Sequence, residues 1–205
     1  FTKLKYTKKI IFSFLIFFSY ILNVNAELKI DITSGYTEPT PIGIHDFIGT
    51  NDEENSVAKQ ITKLVIADLN NSGIFRIIDP KAYIQKIPSP NVMPKFSDWR
   101  VINAQALIVG STQINTNGQV RIEFRLWDVF AEQQMAGWAF STARSNWRQI
   151  SHRIADKVYE RLTGEIGYFD TRIAYIAESG PPKKRVKRLA IMDQDGANHR
   201  FLTDG

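Results

Sequence analysis

Residues 106–141, ALIVGSTQINTNGQVRIEFRLWDVFAEQQMAGWAFS, decide how this chain is read. In the middle of the stretch Val120, Ile122, Phe124 and Leu126 alternate with Arg121, Glu123 and Arg125, the two-residue period of a half-buried strand. Asn117-Gly118 before it favours a tight hairpin turn, and Ala131–Gln134 after it turns the chain again. The stretch therefore predicts three successive antiparallel strands, ALIVGSTQI, QVRIEFRLWDVF and MAGWAFS.

Upstream, IGIHDF (Ile42–Phe47) reads as a first core strand, followed by an acidic, polar connection through Asn51–Asn55. Val57, Ile61, Leu64, Val65 and Leu69 then lay an apolar stripe along a helix, with Gly73 as its stop signal. IFRII is a second strand, ended by Asp79-Pro80. KIPSPNVMPKF, with three prolines in eleven residues, excludes a regular element. SDWRVINA predicts a short helix capped by Ser97 or Asp98.

Downstream, Ser145 or Asn146 is placed to cap a long helix bearing Trp147, Ile150, Ile154, Val158 and Leu162 on one face, and Gly164 closes it. The order predicts a mixed α/β domain whose helices cover one face of a mixed sheet. If IGIHDF and IFRII are parallel, their helical connection is right-handed. Composition shifts at GEIGYFDTR. IAYIAES and RLAIMDQ then read as short strands, PPKKRVK as an exposed loop between them, and DGANHRFL as a turn into a third strand. Such units build propellers, and less than one four-stranded blade is present.

The first 26 residues hold a lysine-bearing start, an apolar run of 13 residues (Ile10–Leu22) and a polar end at Val24-Asn25-Ala26. This is the pattern of a cleaved secretory signal; the run is short of the roughly 20 residues that span a bilayer. Removing it takes Lys3, Lys5, Lys8 and Lys9 and lowers the formal charge from +5 to +1, so the basic balance of the whole chain is no argument for nucleic acid. Phe1 in place of an initiator methionine leads us to expect a chain clipped at its front. The chain contains no cysteine, which excludes disulfides, thiol catalysis and cysteine-based zinc sites. Directly after Ala26, ELKIDITS alternates Leu28, Ile30 and Ile32 with Lys29, Asp31 and Thr33, a strand able to pair in its own sheet or to add to a partner's.

Motifs for phosphate cradles, nucleophile elbows and zincins are missing. His45, His152 and His199 fall on separate elements, and His45 beside Asp46 reads as structural. A hydrolase using His45 or His152 would require both to line one deep polar pocket. Asp193, Asp195 and Asp204 do not make an EF-hand, because Leu202 stands where the loop needs a glutamate; they read as turn residues. The basic run Lys183–Arg188 is an alternative anionic-surface site, but it lacks neighbouring aromatics to stack bases and sits in a loop. Trp99, Trp127, Trp138 and Trp147 read as core or core-edge residues.

Three features together resemble the TolB family of the Tol-Pal cell-envelope system. They are the export signal followed by a short strand, the phrase EPTPIGIHDF, and the run from DWRVINAQALIVGSTQI through QVRIEFRLWDVFAEQQMAG to WRQISHRIADKVYERLTGEIGYFDTRIAYIAES. IMDQDGANHRFLTDG is similar to the family's opening blade sequence. The resemblance implies a signal peptide over 1–26, an N-terminal α/β domain over 27–165, and a linker with an incomplete first propeller blade over 166–205. It also implies a periplasmic, non-enzymatic, monomeric protein that connects the inner-membrane protein TolA to the outer-membrane lipoprotein Pal, supporting envelope integrity and division. No cofactor, metal, catalytic residue or nucleic-acid partner is expected. The TolA contact carries over to Glu27, Leu28, Lys29, Ile30, Asp31, Ile32 and Thr33, and the Pal surface to the propeller. The family's propeller has six blades, so the end at Gly205 leads us to expect a C-terminal truncation.

Overall fold

The computed structural model describes Leu28 and residues 38–205. Residues 1–26, expected to form an export signal, together with Glu27 and Lys29–Thr33, lie outside the described residues.

A five-stranded sheet carries the first part of the chain, in the order β2-β1-β3-β4-β5. Its strands are β1 (Thr40–Ile44), β2 (Phe75–Ile77), β3 (Ala106–Ile114), β4 (Gln119–Asp128) and β5 (Gln133–Ala143). β1 lies parallel to both β2 and β3, while β3, β4 and β5 form the expected antiparallel meander. Gly118, at φ +77°, makes the first turn possible, as the Asn-Gly pair predicted. β1 begins earlier than the alternation at Ile42 suggested and ends before His45. There the backbone leaves the ladder, and only an isolated bridge joins Ile48 to Ser111.

Helix α1 spans Asp52–Asn71 and so absorbs most of the segment read as an acidic connection. The reason is capping: the Asn51 side chain accepts the Glu54 main-chain N–H at 2.9 Å, and Asp52, Glu53 and Glu54 complement the positive end of the helix dipole. Helix α2 (Phe96–Val101) starts after Lys95 with no side-chain cap, so neither Ser97 nor Asp98 plays that part. Helix α3 (Trp147–Thr163) follows a 3₁₀ turn at Arg144–Asn146, again without a side-chain cap, and ends at Gly164 with φ +81°.

The inward side chains of β4 (Val120, Ile122, Phe124, Leu126) are all fully buried in one cluster with Ile61, Val65 and Leu69 of α1 and Ile154, Val158 and Leu162 of α3. Each such side chain contributes about 1.5–3 kcal/mol on leaving water. The opposite face is covered too, which corrects the one-face expectation. There Leu107 and Val109 pack with Trp99 of α2, Ile87 of the proline-rich segment and Val129. Gly43 is what lets Trp99 approach, since a Cβ there would stand 2.8 Å from the indole.

The remaining strands, β6 (Arg172–Ser179), β7 (Val186–Asp193) and β8 (Arg200–Phe201), form a second, antiparallel sheet. Ala190 is the residue of this sheet that is fully buried, whereas Ile173, Ile176, Leu189 and Phe201 remain exposed. Val186–Arg188 belong to β7, so the basic run is half strand rather than all loop.

Candidate functional site

Of the seven residues expected to contact a partner, Leu28 is described. Its main-chain N–H donates to Asp128 Oδ2 at 3.2 Å, and its side chain packs against the main core. Asp128 is buried at the end of β4, and its other oxygen accepts the Phe130 and Ala131 N–H groups at 2.9 and 2.8 Å. One carboxylate thus shapes the turn into β5 and holds the main chain at Leu28.

A second polar constellation forms where the two sheets meet. Helical spacing places Arg148 and His152 one turn apart on the same face of α3. α1 packs alongside α3, bringing the buried Asp68 against the imidazole with Oδ2 2.7 Å from His152 Nδ1. The turn from β7 to β8 closes the group. Gln194 donates to Asp68 Oδ1 at 3.2 Å, and Asp195 pairs with the Arg148 guanidinium. Asp195 Oδ2 also stands 4.0 Å from His152 Nε2, a buried atom without a direct hydrogen-bond partner. Burial alone pushes the imidazole down, but the Asp68 hydrogen bond and charge, aided by Asp195 and opposed by Arg148, hold it above its ordinary 6.5. Asp195 is disfavoured by burial, yet the Ala197 N–H and Arg148 keep it below the usual carboxylate range.

A polar cavity of about 210 Å³ opens beside this group, lined by Arg148, His152, Arg172, Asp193 and Asn198 among others. Ligand-type atoms of His152, Asp193 and Asp195 lie within 4.8 Å of one another. Both carboxylates already have partners: Asp195 pairs with Arg148, and Asp193 accepts from Asn198 and stands 3.8 Å from the Arg172 guanidinium.

His45 is elsewhere. Its Nε2 accepts the Ile87 N–H at 3.2 Å, fastening the proline-rich segment, and it does not line the cavity beside His152. The shared pocket that a two-histidine hydrolase requires is therefore not formed. His199 packs against Phe201 and Tyr175. Asp193 and Asp195 sit in a turn closed by Gly196, as expected, but Asp195 has the further contact to α3. In the basic run, Arg185 and Lys187 both pair with Glu178.

Asp68, Gln194 and Tyr83 went unnoticed in the sequence. Asp68 left a signal: it follows Leu64 by four and Val65 by three, a charge set within an apolar stripe. Tyr83 left none. Its hydroxyl accepts the Ile44 N–H at 2.9 Å and approaches the Ile44 and Ile78 carbonyls, joining the ends of β1 and β2, and burial pushes it up to about 12.

No helix among the described residues is long and apolar enough to cross a membrane. The profile of the TolB amino-terminal domain matches residues 28–135. A relative, the Tol-Pal system protein TolB of Paramagnetospirillum magneticum, is 54% identical over 185 residues, covering 90% of this chain and 41% of that protein. The crystal structure of TolB from Acinetobacter baumannii superposes with a TM-score of 0.66 at 24% identity, covering 86% of this chain and 41% of that one. The chain thus spans about two-fifths of the relatives it matches. The likeness in fold identifies the five-stranded unit as the α/β domain and the three-stranded sheet as an incomplete first blade of a propeller. With the domain profile covering more than half of its length, the chain belongs to the TolB family of the Tol-Pal system.

Proposed function

We propose that this chain serves as a periplasmic interaction component of the Tol-Pal system, with no catalytic role of its own, and that its mature N-terminal segment Glu27–Thr33 binds a TolA-like inner-membrane protein. In this reading residues 1–26 are a cleaved export signal, 27–165 the α/β domain, and 166–205 the linker with the beginning of the propeller. The complete propeller supplies the surface for a Pal-like lipoprotein. The connection between the two membranes supports outer-membrane integrity and invagination at division.

The observation that carries this reading is the TolB amino-terminal match, which begins at Leu28, inside the segment in question. The chemistry suits the role. An extended segment with apolar residues at every second position gains main-chain hydrogen bonds from a partner's sheet edge while its alternate side chains enter pockets. Leu28 bonded to Asp128 gives such a segment a fixed root on the folded domain.

Calorimetric titration of the mature chain with the periplasmic domain of TolA tests the proposal. Removing Glu27–Thr33 abolishes the binding heat while the circular dichroism of the folded domain is retained. Undiminished affinity in the deletion variant sinks the assignment.

A further inference from the structure

The junction between the α/β unit and the first blade is held by polar groups, and one of them is His152, whose imidazole the Asp68 hydrogen bond and charge hold above its ordinary 6.5. Three elements converge on it. α1 contributes Asp68, α3 contributes His152 and Arg148, and the β7–β8 turn contributes Gln194 and Asp195. Asp170, Arg172 and Asp193 line the same cavity as the imidazole. Asp156, one turn further along α3, is directed to the connecting segment, where its carboxylate accepts the Phe169 and Asp170 N–H groups at 2.7 and 3.2 Å.

Counting charges shows what the arrangement does. Asp68, Asp193 and Asp195 stand against Arg148, Arg172 and His152, and Asp170 also lines the cavity. Loss of the imidazole proton makes the group more negative by one charge, at a site where Asp68 and His152 are buried. With Nδ1–H given to Asp68, neutral imidazole also turns its Nε2 lone pair toward Asp195 Oδ2, at 4.0 Å. That pairing is repulsive, whereas Nε2–H⁺ at the same distance is attractive.

We propose that Asp68, His152 and Asp195 form an acid-closed latch, in which an imidazolium buried on α3 shares its charge between a carboxylate of the α/β unit and a carboxylate of the first blade. Loss of the proton weakens the hold on the β7–β8 turn and frees the blade to move against the domain. This property is independent of the N-terminal binding reading, since it concerns neither Glu27–Thr33 nor any partner.

The direction of the pH dependence follows from linkage. The imidazole is held above 6.5 when the junction is closed, so its contribution is complete below pH 6.5 and is lost as pH rises through the raised value. For each unit of elevation, closure weakens about tenfold across that window.

The test uses the full chain and two readouts. Three histidines give three imidazole titration curves by ¹⁵N-correlated NMR, of which Asp195→Asn, on an accessible turn, moves one. The latch requires the His152 midpoint to lie above 6.5 and to fall in Asp195→Asn. It also requires amide exchange at Gly196 and Ala197, corrected for the intrinsic pH effect, to accelerate about tenfold per unit of elevation as pH passes that midpoint. This acceleration is lost in His152→Gln, and it is reduced in Asp195→Asn if the former variant does not fold. A His152 midpoint at or below 6.5, or corrected exchange with the same pH profile in the wild type and Asp195→Asn, overturns the proposal.

Discussion

Asp128 holds Leu28 across one hundred positions of the chain, carboxylate to main-chain N–H, at 3.2 Å. Leu28 is thereby rooted at the end of β4, next to the turn that Asp128 itself shapes. Replacing Asp128 by alanine removes both functions. We expect a loss of about 1–3 kcal/mol in urea unfolding, the cost of leaving buried donors unmade. We also expect faster hydrogen exchange at Leu28. Unchanged protection of that amide would show that another group holds it.

Glu54 ties the start of α1 to the end of β3. One oxygen accepts the Ile114 N–H at 2.7 Å, and the other accepts the Thr50 N–H and hydroxyl at 2.7 and 2.6 Å. The Thr50 and Ile114 hydrogen bonds outweigh burial and hold the carboxyl below its ordinary 4.5. Its contribution is therefore present above pH 4.5 and disappears as pH falls through the lowered value. Glu54→Gln turns an NH₂ toward donors and should cost about 1–3 kcal/mol at pH 7, with the difference from wild type shrinking in acid. A pH-independent difference contradicts this account.

Tyr83 joins the ends of β1 and β2 through its hydroxyl. Tyr83→Phe keeps the ring against Trp99 but strands the Ile44 N–H, so chemical unfolding should register a loss of about 1–3 kcal/mol. A neutral substitution would mean that water replaces the hydroxyl.

At Gly110 of β3 the ring of Phe47 lies directly on the backbone, and an added Cβ would come within 2.5 Å of it. Gly110→Ala should cost about 1–3 kcal/mol through overpacking, read as a lowered melting temperature. Pairing it with Phe47→Leu should recover part of the loss. Equal melting temperatures for Gly110→Ala and wild type would show that the ring moves aside freely.

The meander was legible because a two-residue period on β4 and an Asn-Gly turn are local signals, and the two long helices, α1 and α3, announced themselves through apolar stripes. What escaped was decided by distance in the sequence. The parallel pairing of β1 with β2 and β3 depends on strands separated by α1 and by the proline-rich segment, and no local pattern records it. Helix starts were misplaced where polar residues serve the first turn, as in Asp52–Glu54, rather than a loop. The second face of the sheet was hidden because its cover comes from Trp99 and Ile87, single residues in short or irregular segments. At the junction, Asp193 and Asp195 were recognised as turn residues, but the partner of Asp195 lies 47 positions away, on a helix.

Placing a photo-crosslinking side chain at Ile30 of the mature protein, in cells that contain TolA, tests the proposed role most directly. A TolA adduct is predicted from position 30, and none from the same group at Lys183 in the basic loop. An adduct at Lys183 with none at Ile30 would contradict it.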